Sequence, residues 1–502
     1  MTVAVAGPQS AALHPAPWKD LWRSTWRVAV PLIAAAAIVV IPPPPGLSHA
    51  AFHYFALFVA VILGLILEPM PAAAIGVLGI TYAAVAGLPF SPAQLADPRF
   101  SLPAEGLRWA LSGFSNGTVW LIFGAYMFAL GYEKTGLGRR LALLLTRKLG
   151  RRTLGLGYAI AFADLALAPF TPSNTARSGG TIFPIIQNIP ALYGSKPGET
   201  ARRIGSYVLW TAFAVQAVTS AMFLTALAPN LLAVELIKKT SGIEISWAAW
   251  FVGFFPIGLA LLLALPLVAF LLYPPEIKAS EEVSAWAAEE YAKLGRVHWP
   301  ELVMAALVAV ALGLWIFGKS FIDPTVVALL VISGMVMTGI VKWDDIIGNK
   351  AAWNVLVWFA TLVTLADGLN KVGFVGWFAK GAAGALSGIP PLAVMVVLVA
   401  LFFLVHYLFA SSTAHTTAVL PVVFAAGLAV PGLPARTFAL LLCFSLGLMG
   451  VITPYATGPA PVYYGSGYVP RRDFWRLGGI FGALFLLVLL AVGVPYLMLV
   501  KP

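Results

Sequence analysis

The sequence predicts an all-α polytopic membrane protein with about eleven transmembrane helices, two re-entrant hairpins and inverted repeats. Three observations carry this. The 502 residues are 60% hydrophobic and only 10% charged, with a mean hydropathy of +0.90, whereas soluble domains carry about 25% charged residues. The apolar residues form continuous runs rather than alternating ones, as bilayer-spanning helices do. Two of the runs, at 154–190 and 382–430, are too long for one helix and are interrupted by small polar residues. Non-helical backbone survives at membrane depth only where protein or a water-filled cavity satisfies it, so each long run reads as a hairpin that enters the membrane and returns.

The first apolar run, Val28 to Ile41, leads into Pro42–Pro45 without a small-residue cleavage pattern. It reads as a retained helix, not a signal peptide. Cys443 is the single cysteine, which excludes internal disulfides and thiol metal clusters. No metal-ligand, nucleophilic-triad or phosphate-loop spacing stands out, so neither an enzyme nor a cofactor site is expected. The net charge of +11 invites a nucleic-acid reading, but there is no basic soluble domain to carry one. Basic residues of membrane proteins gather in cytoplasmic loops instead. With the N-terminus inside and both long runs re-entrant, Lys19, Arg23, Arg27, the stretch Lys134 to Arg152, Arg202, Arg203, Lys278, Lys293, Lys342, Arg471 and Arg472 all fall inside. Arg177 alone falls in the membrane core. The expected location is the inner (plasma) membrane.

This topology divides the chain into a cytoplasmic N-terminus (1–26), N-terminal scaffold helices (27–149), and a first hairpin with transport helices (150–273). A cytoplasmic amphipathic linker (274–298), second-repeat scaffold helices (299–381), and a second hairpin with its helices (382–502) follow. The halves repeat. Lys134-Thr-Gly-Leu137 returns as Lys371-Val-Gly-Phe374, 237 residues on; Ser173-Asn-Thr-Ala-Arg177 returns as Ser411-Ser-Thr-Ala-His415, 238 residues on; Pro184 returns as Pro421. An odd number of crossings per half inverts the second half, and inverted repeats with discontinuous helices are a transporter architecture.

The candidate site follows from the repeat. In the first tract, Ala168 to Thr181, Pro172 and the Gly179–Gly180 pair stop regular helix. They leave Ser173, Asn174 and Thr175 with side-chain donors and free amides that suit an anion. The second tract, Phe409 to Thr417, offers Ser411, Ser412 and Thr413. Two further breaks, Thr225 to Asn230 and Thr453 to Pro461, add Pro229 and Asn230, and Thr457, Gly458 and Pro459. Arg177 and His415 are repeat mates, each four residues beyond the first serine of its tract. A charge in the membrane is functional or paired, and Asp164, in the same hairpin as Arg177, is the available partner. Asp367 reads as capping a helix end, and His406 as hydrogen-bonding within the bundle.

The paired tracts Ser173-Asn174-Thr175 and Ser411-Ser412-Thr413 resemble the twin Ser-Asn-Thr motifs of the divalent-anion:sodium symporter superfamily. Thr171 to Pro184 and Ala456 to Gly467 look more closely like its 2-oxoglutarate/malate translocator and citrate–succinate antiporter branch. The resemblance covers nearly the whole chain after the first helix. It implies a homodimer of eleven-helix protomers, elevator motion of a transport domain against a scaffold, and C4–C6 di- or tricarboxylate substrates such as malate, succinate, 2-oxoglutarate, citrate or tartrate. It places substrate contacts on Ser173, Asn174, Thr175, Ser411, Ser412 and Thr413. Ser412 stands where sodium-coupled members have Asn. Fixed positive charge on Arg177 and His415 would then take the place of sodium, which implies sodium-independent exchange. A sodium-coupled symporter and an anion channel or non-transporting receptor are the alternatives.

Overall fold

A computed structural model describes residues 18–318 and 320–502; residues 1–17, most of the expected cytoplasmic N-terminus, lie outside the described residues. The described residues are helical, apart from loops and one isolated β-bridge, Arg152 to Ala279. The longer helices are α1 (Trp18–Val40), α2 (His49–Leu67), α3 (Ala72–Val85), α4 (Gly117–Thr135), α5 (Leu137–Leu149), α6 (Thr153–Leu167), α7 (Gly205–Met222), α8 (Ala228–Ser241) and α9 (Trp247–Leu272) in the first half. In the second half they are α10 (Glu281–Lys293), α11 (Trp299–Phe317), α12 (Pro324–Met337), α13 (Lys350–Lys371), α14 (Phe374–Ala385), α15 (Pro391–Val405), α16 (Ser412–Leu428), α17 (Ala435–Leu448) and α18 (Arg471–Val488). Among the described residues, 7 helical segments are long and apolar enough to cross a membrane, the arms Thr153–Phe170 and Pro391–Leu408 included; α3, α12, α16 and most of α1 are apolar but shorter.

Local chemistry sets the boundaries. Ser48, Ser246, Asp323, Asn349 and Ser411 each accept a backbone N–H in the first turn of the helix that follows, which satisfies donors that a helix start leaves free. The Lys-x-Gly repeat has a structural cause. Gly136 and Gly373 sit at φ 74° and 84°, the left-handed region open to glycine, and each turns the chain from a long helix into a shorter one, α4 into α5 and α13 into α14. α5 packs on the first hairpin and α14 on the second.

Every residue of α7 is buried, as is α17 from Thr437 to Leu448. These helices form the centre, with α6 and α9 against α7 and α15 against α17. α4 packs on α12 and α13, and α13 on α3. The periphery is apolar and uncovered: Leu32, Ile33, Leu271, Phe317 and Met337 are all more than 60% exposed. An apolar surface this extensive belongs in lipid. Within 274–298, residues Glu281–Lys293 are the helix α10, laid on α5. Its approach is stitched by Thr153 N–H to the Lys278 carbonyl (3.0 Å) and Ser280 N–H to the Arg151 carbonyl (2.9 Å). Its exit is clamped by a buried ion pair between Arg140 and Glu301.

Candidate functional site

The first tract is a helix end that cannot continue. Pro169 and Pro172 have no N–H to donate; α6 stops at Leu167, and Thr171–Ser173 run without regular helix. The chain returns as a wide helical turn, Thr175–Ile182, that lies back against α6. The freed groups are met by the break between α7 and α8, at Phe223–Leu227. Ala228 N–H donates to the Pro172 carbonyl at 2.9 Å, and Thr225 Oγ1 to the Pro169 carbonyl at 2.5 Å. Asn230 Nδ2 donates to the carbonyls of Ser220 (2.8 Å) and Phe223 (3.2 Å), and so holds the break open.

The tip also reaches the second half. Asn174 Nδ2 donates to Thr457 Oγ1 at 2.7 Å and to Gln216 Oε1 at 3.1 Å. Ser178 and Tyr463 share a hydrogen bond of 2.8 Å. At Gly458, a Cβ would stand 1.9 Å from Thr175 Oγ1, so only glycine admits this approach. Beside these residues lies a cavity of about 1020 Å³, lined on the tip by Thr171, Ser173, Thr175, Gly179 and Gly180, and on α4 by Tyr126. Tyr126 and Ser173 both face this cavity. Glu133, Arg139, Trp286, Glu290 and Asn349 form the cavity's other end. There Arg139 pairs with Glu290 at 3.0 Å, and Lys293, with Arg139, holds the Glu290 carboxyl below the usual carboxylate range.

Arg177 is placed differently from the sequence expectation of a charge facing the ligand. It is wholly buried and outside the cavity lining. Its Nε pairs with Asp164 Oδ2 at 3.2 Å. Nη1 donates to the carbonyls of Thr171 (3.0 Å) and Ala226 (2.9 Å), and Nη2 to Ser220 Oγ (3.0 Å) and Thr219 Oγ1 (3.4 Å). One guanidinium thus fastens both arms of the hairpin to the first break, and a carboxylate already balances its charge. The reason is geometric: the residues after the tip wind back past α6, which turns this side chain inward to Asp164.

The second tract caps and bonds itself. Ser411 Oγ accepts from Ala414 N–H, and Thr416 and Thr417 return their hydroxyls to the Ser412 and Thr413 carbonyls. Ser412 Oγ and both ring nitrogens of His415 are buried without a hydrogen-bond partner among the described residues. His415 is wholly buried against Phe402, Phe409 and His406, with ring centroids 4.4, 5.0 and 5.0 Å away. Among the described residues no carboxylate or carbonyl bonds either ring nitrogen of His415. His406 Nε2 donates to the Ala456 carbonyl at 2.8 Å, and Tyr455 donates its hydroxyl to the Tyr407 carbonyl at 3.1 Å. The second tip is thereby tied to the second break.

Of the residues singled out by sequence, Ser173 and Thr175 line the cavity, and Asn174, Thr457 and Gly458 adjoin it through the contacts above. Pro459 starts the short helix after the second break. Ser411, Ser412, Thr413 and His415 do not line the cavity; Pro229 and Asn230 are buried in the first turn of α8, just after the first break. Tyr126, Gln216 and Tyr463 were not singled out. Gln216, a lone amide in the buried apolar run of α7, carried a readable signal; the two tyrosines did not, because in a membrane protein tyrosine reads first as interfacial.

A bundle of apolar helices, with two broken helices meeting a hairpin tip beside a cavity, is the architecture of a membrane transporter. The family described as the sodium:sulfate symporter transmembrane region matches residues 22–501, and the chain belongs to that family. It is 50% identical over 475 residues to the L-tartrate/succinate antiporter of Escherichia coli K12, covering 94% of this chain and 98% of that protein. A Shigella sonnei protein of the same description matches to the same extent. Among solved structures, the YdaH transporter of Alcanivorax borkumensis matches with a TM-score of 0.55 at 18% identity, over 89% of this chain and 99% of that one. MtrF of Neisseria gonorrhoeae, described as an antimetabolite efflux pump, matches with 0.55 at 12% identity, over 96% and 95%. At these identities the solved structures speak to the fold alone.

Proposed function

We propose that this protein exchanges small dicarboxylates, tartrate and succinate foremost, across the inner membrane without sodium. The carrying observation is that the tip bearing Ser173, Asn174 and Thr175 is bonded through Asn174 to Thr457 beside a cavity that Ser173 and Thr175 line, in a chain half identical to an L-tartrate/succinate antiporter. Hydroxyls and amides of the first tip and of Thr457–Pro459 receive one carboxylate. The second tip, through Ser411–Thr413, receives the other as the substrate is enclosed. Eleven crossings result when the broken α7–α8 and α17 with its continuation each count once. With the N-terminus inside, the cavity opens to the cytoplasm.

The hairpins, the broken helices and α9 and α18 move as one body, in elevator fashion, against a dimeric scaffold containing α4 and α13. Arg177 positions the tip and is not itself a ligand. Coupling then rests on desolvation: crossing empty carries unmet donors through the barrier, at about 1–3 kcal/mol each, and a bound dicarboxylate meets them. Movement of the empty carrier is suppressed, and one-for-one exchange follows. Sodium-coupled symport is the competing reading, carried by the family's description. A thermal-shift screen over tartrate, succinate, malate, 2-oxoglutarate and citrate, with and without sodium, tests binding; stabilisation by C4 dicarboxylates in sodium-free buffer is expected.

A further inference from the structure

The end of α4 and α13 remote from the cavity is held by a contact that substrate binding does not use. Tyr126 to Gly136 of α4, and Asn349 and Ala351 at the start of α13, border the cavity. At the other end of α4, Glu235 of α8 is buried, 4% exposed. Its carboxylate accepts from Asn116 Nδ2 at 2.7 Å and Thr118 Oγ1 at 3.1 Å. Asn116 caps α4, with Oδ1 accepting from the N–H groups of Thr118 and Val119, so the carboxylate lies against the positive end of α4. One turn further on, Lys239 pairs with Asp367 of α13 at 3.5 Å, and its carbonyl accepts from Asn370 Nδ2 at 3.1 Å.

A buried carboxylate is costly unless both oxygens are hydrogen-bonded, and here α4 bonds both. Yet α8 begins at the break that carries the first tip, through Ala228 and Asn230. If the tip crosses the membrane relative to α4 and α13, α8 goes with it. Hydrogen bonds reach only about 3 Å, so these contacts cannot survive such a displacement.

We propose that Glu235 is a positioning residue of the transport cycle: its bonds to the capped start of α4, backed by the contact of Lys239 with Asp367 of α13, latch the protein in the state open at the α5–α10 end and must release for the opposite state to form. This rests on the moving-body reading above. In oriented vesicles of the full chain carrying Ala176→Cys at the exposed tip, an impermeant thiol reagent is applied from the α5–α10 side; Cys443 is wholly buried. Adding Glu235→Gln, or Thr118→Val if that variant folds poorly, is expected to slow labelling roughly tenfold as the population shifts to the opposite state. Labelling at the parent rate overturns the latch. This readout needs no substrate, so it is independent of which anion is carried.

A second arm bridges Lys239→Cys to Asn370→Cys with a short bis-thiosulfonate. Bridged protein should lose exchange yet keep the succinate thermal shift, and reduction should restore exchange. Bridged protein that exchanges at the unbridged rate overturns the proposal, whereas unbridged protein that neither binds nor exchanges dicarboxylates counts against the transport reading instead.

Discussion

Asn174 Nδ2 donates to Thr457 Oγ1 across 2.7 Å, and this bond joins the tip of one repeat to the broken helix of the other. The two residues are 283 positions apart and belong to different halves. Replacing Asn174 with Ala leaves Thr457 and Gln216 without their shared donor. Exchange should fall roughly tenfold or more, the worth of a buried hydrogen bond, with the larger part in affinity. Binding of succinate by calorimetry, beside exchange rates, checks this.

Arg177 separates a structural role from a ligand role. Arg177→Met strands Asp164 as a buried, unpaired carboxylate, a change that costs about 3–5 kcal/mol. The variant should melt well below the parent. Arg177→Met with Asp164→Leu removes both charges and should recover most of that stability, since a buried pair can be replaced by apolar groups at little cost. Melting temperatures in detergent decide it; a single mutant as stable as the parent would leave the clamp without support.

Gly458→Ala places a Cβ 1.9 Å from Thr175 Oγ1. The tip has to shift, and both stability and exchange should drop. Adding Thr175→Ala removes the clashing hydroxyl and should return the melting temperature, though not the exchange, to near the parent value.

The buried pair of Arg140 and Glu301 fixes α5 to the exit of the linker. Glu301→Ala leaves Arg140 with the carbonyls of Gly295, Leu294 and Arg296 and the Tyr291 ring, and with no carboxylate. It should expose α10 to proteolysis without weakening succinate binding. Limited digestion with and without succinate reads both effects.

The tracts and breaks were legible because Pro169, Pro172, Pro229 and Pro459 stand among small polar residues, unlike Pro256 and Pro266 inside the apolar α9, and because a repeat converts weak signals into paired ones. The Lys-x-Gly repeat was legible for the same reason, since Gly136 and Gly373 occupy backbone that favours glycine. What the sequence did not disclose is direction. Spacing puts Arg177 near the tip, but whether its guanidinium meets the cavity or Asp164 depends on how the returning turn winds past α6. Glu235 was equally hidden: a carboxylate in a mixed stretch reads as solvated, and its partners at Asn116 and Thr118 are more than a hundred positions away.

The central claim is sodium-independent exchange of dicarboxylates. Proteoliposomes loaded with unlabelled succinate or tartrate, diluted into sodium-free buffer with labelled succinate, test it directly. The account predicts saturable uptake that requires the internal dicarboxylate and is unchanged by added sodium. Uptake into empty liposomes driven by a sodium gradient would contradict it.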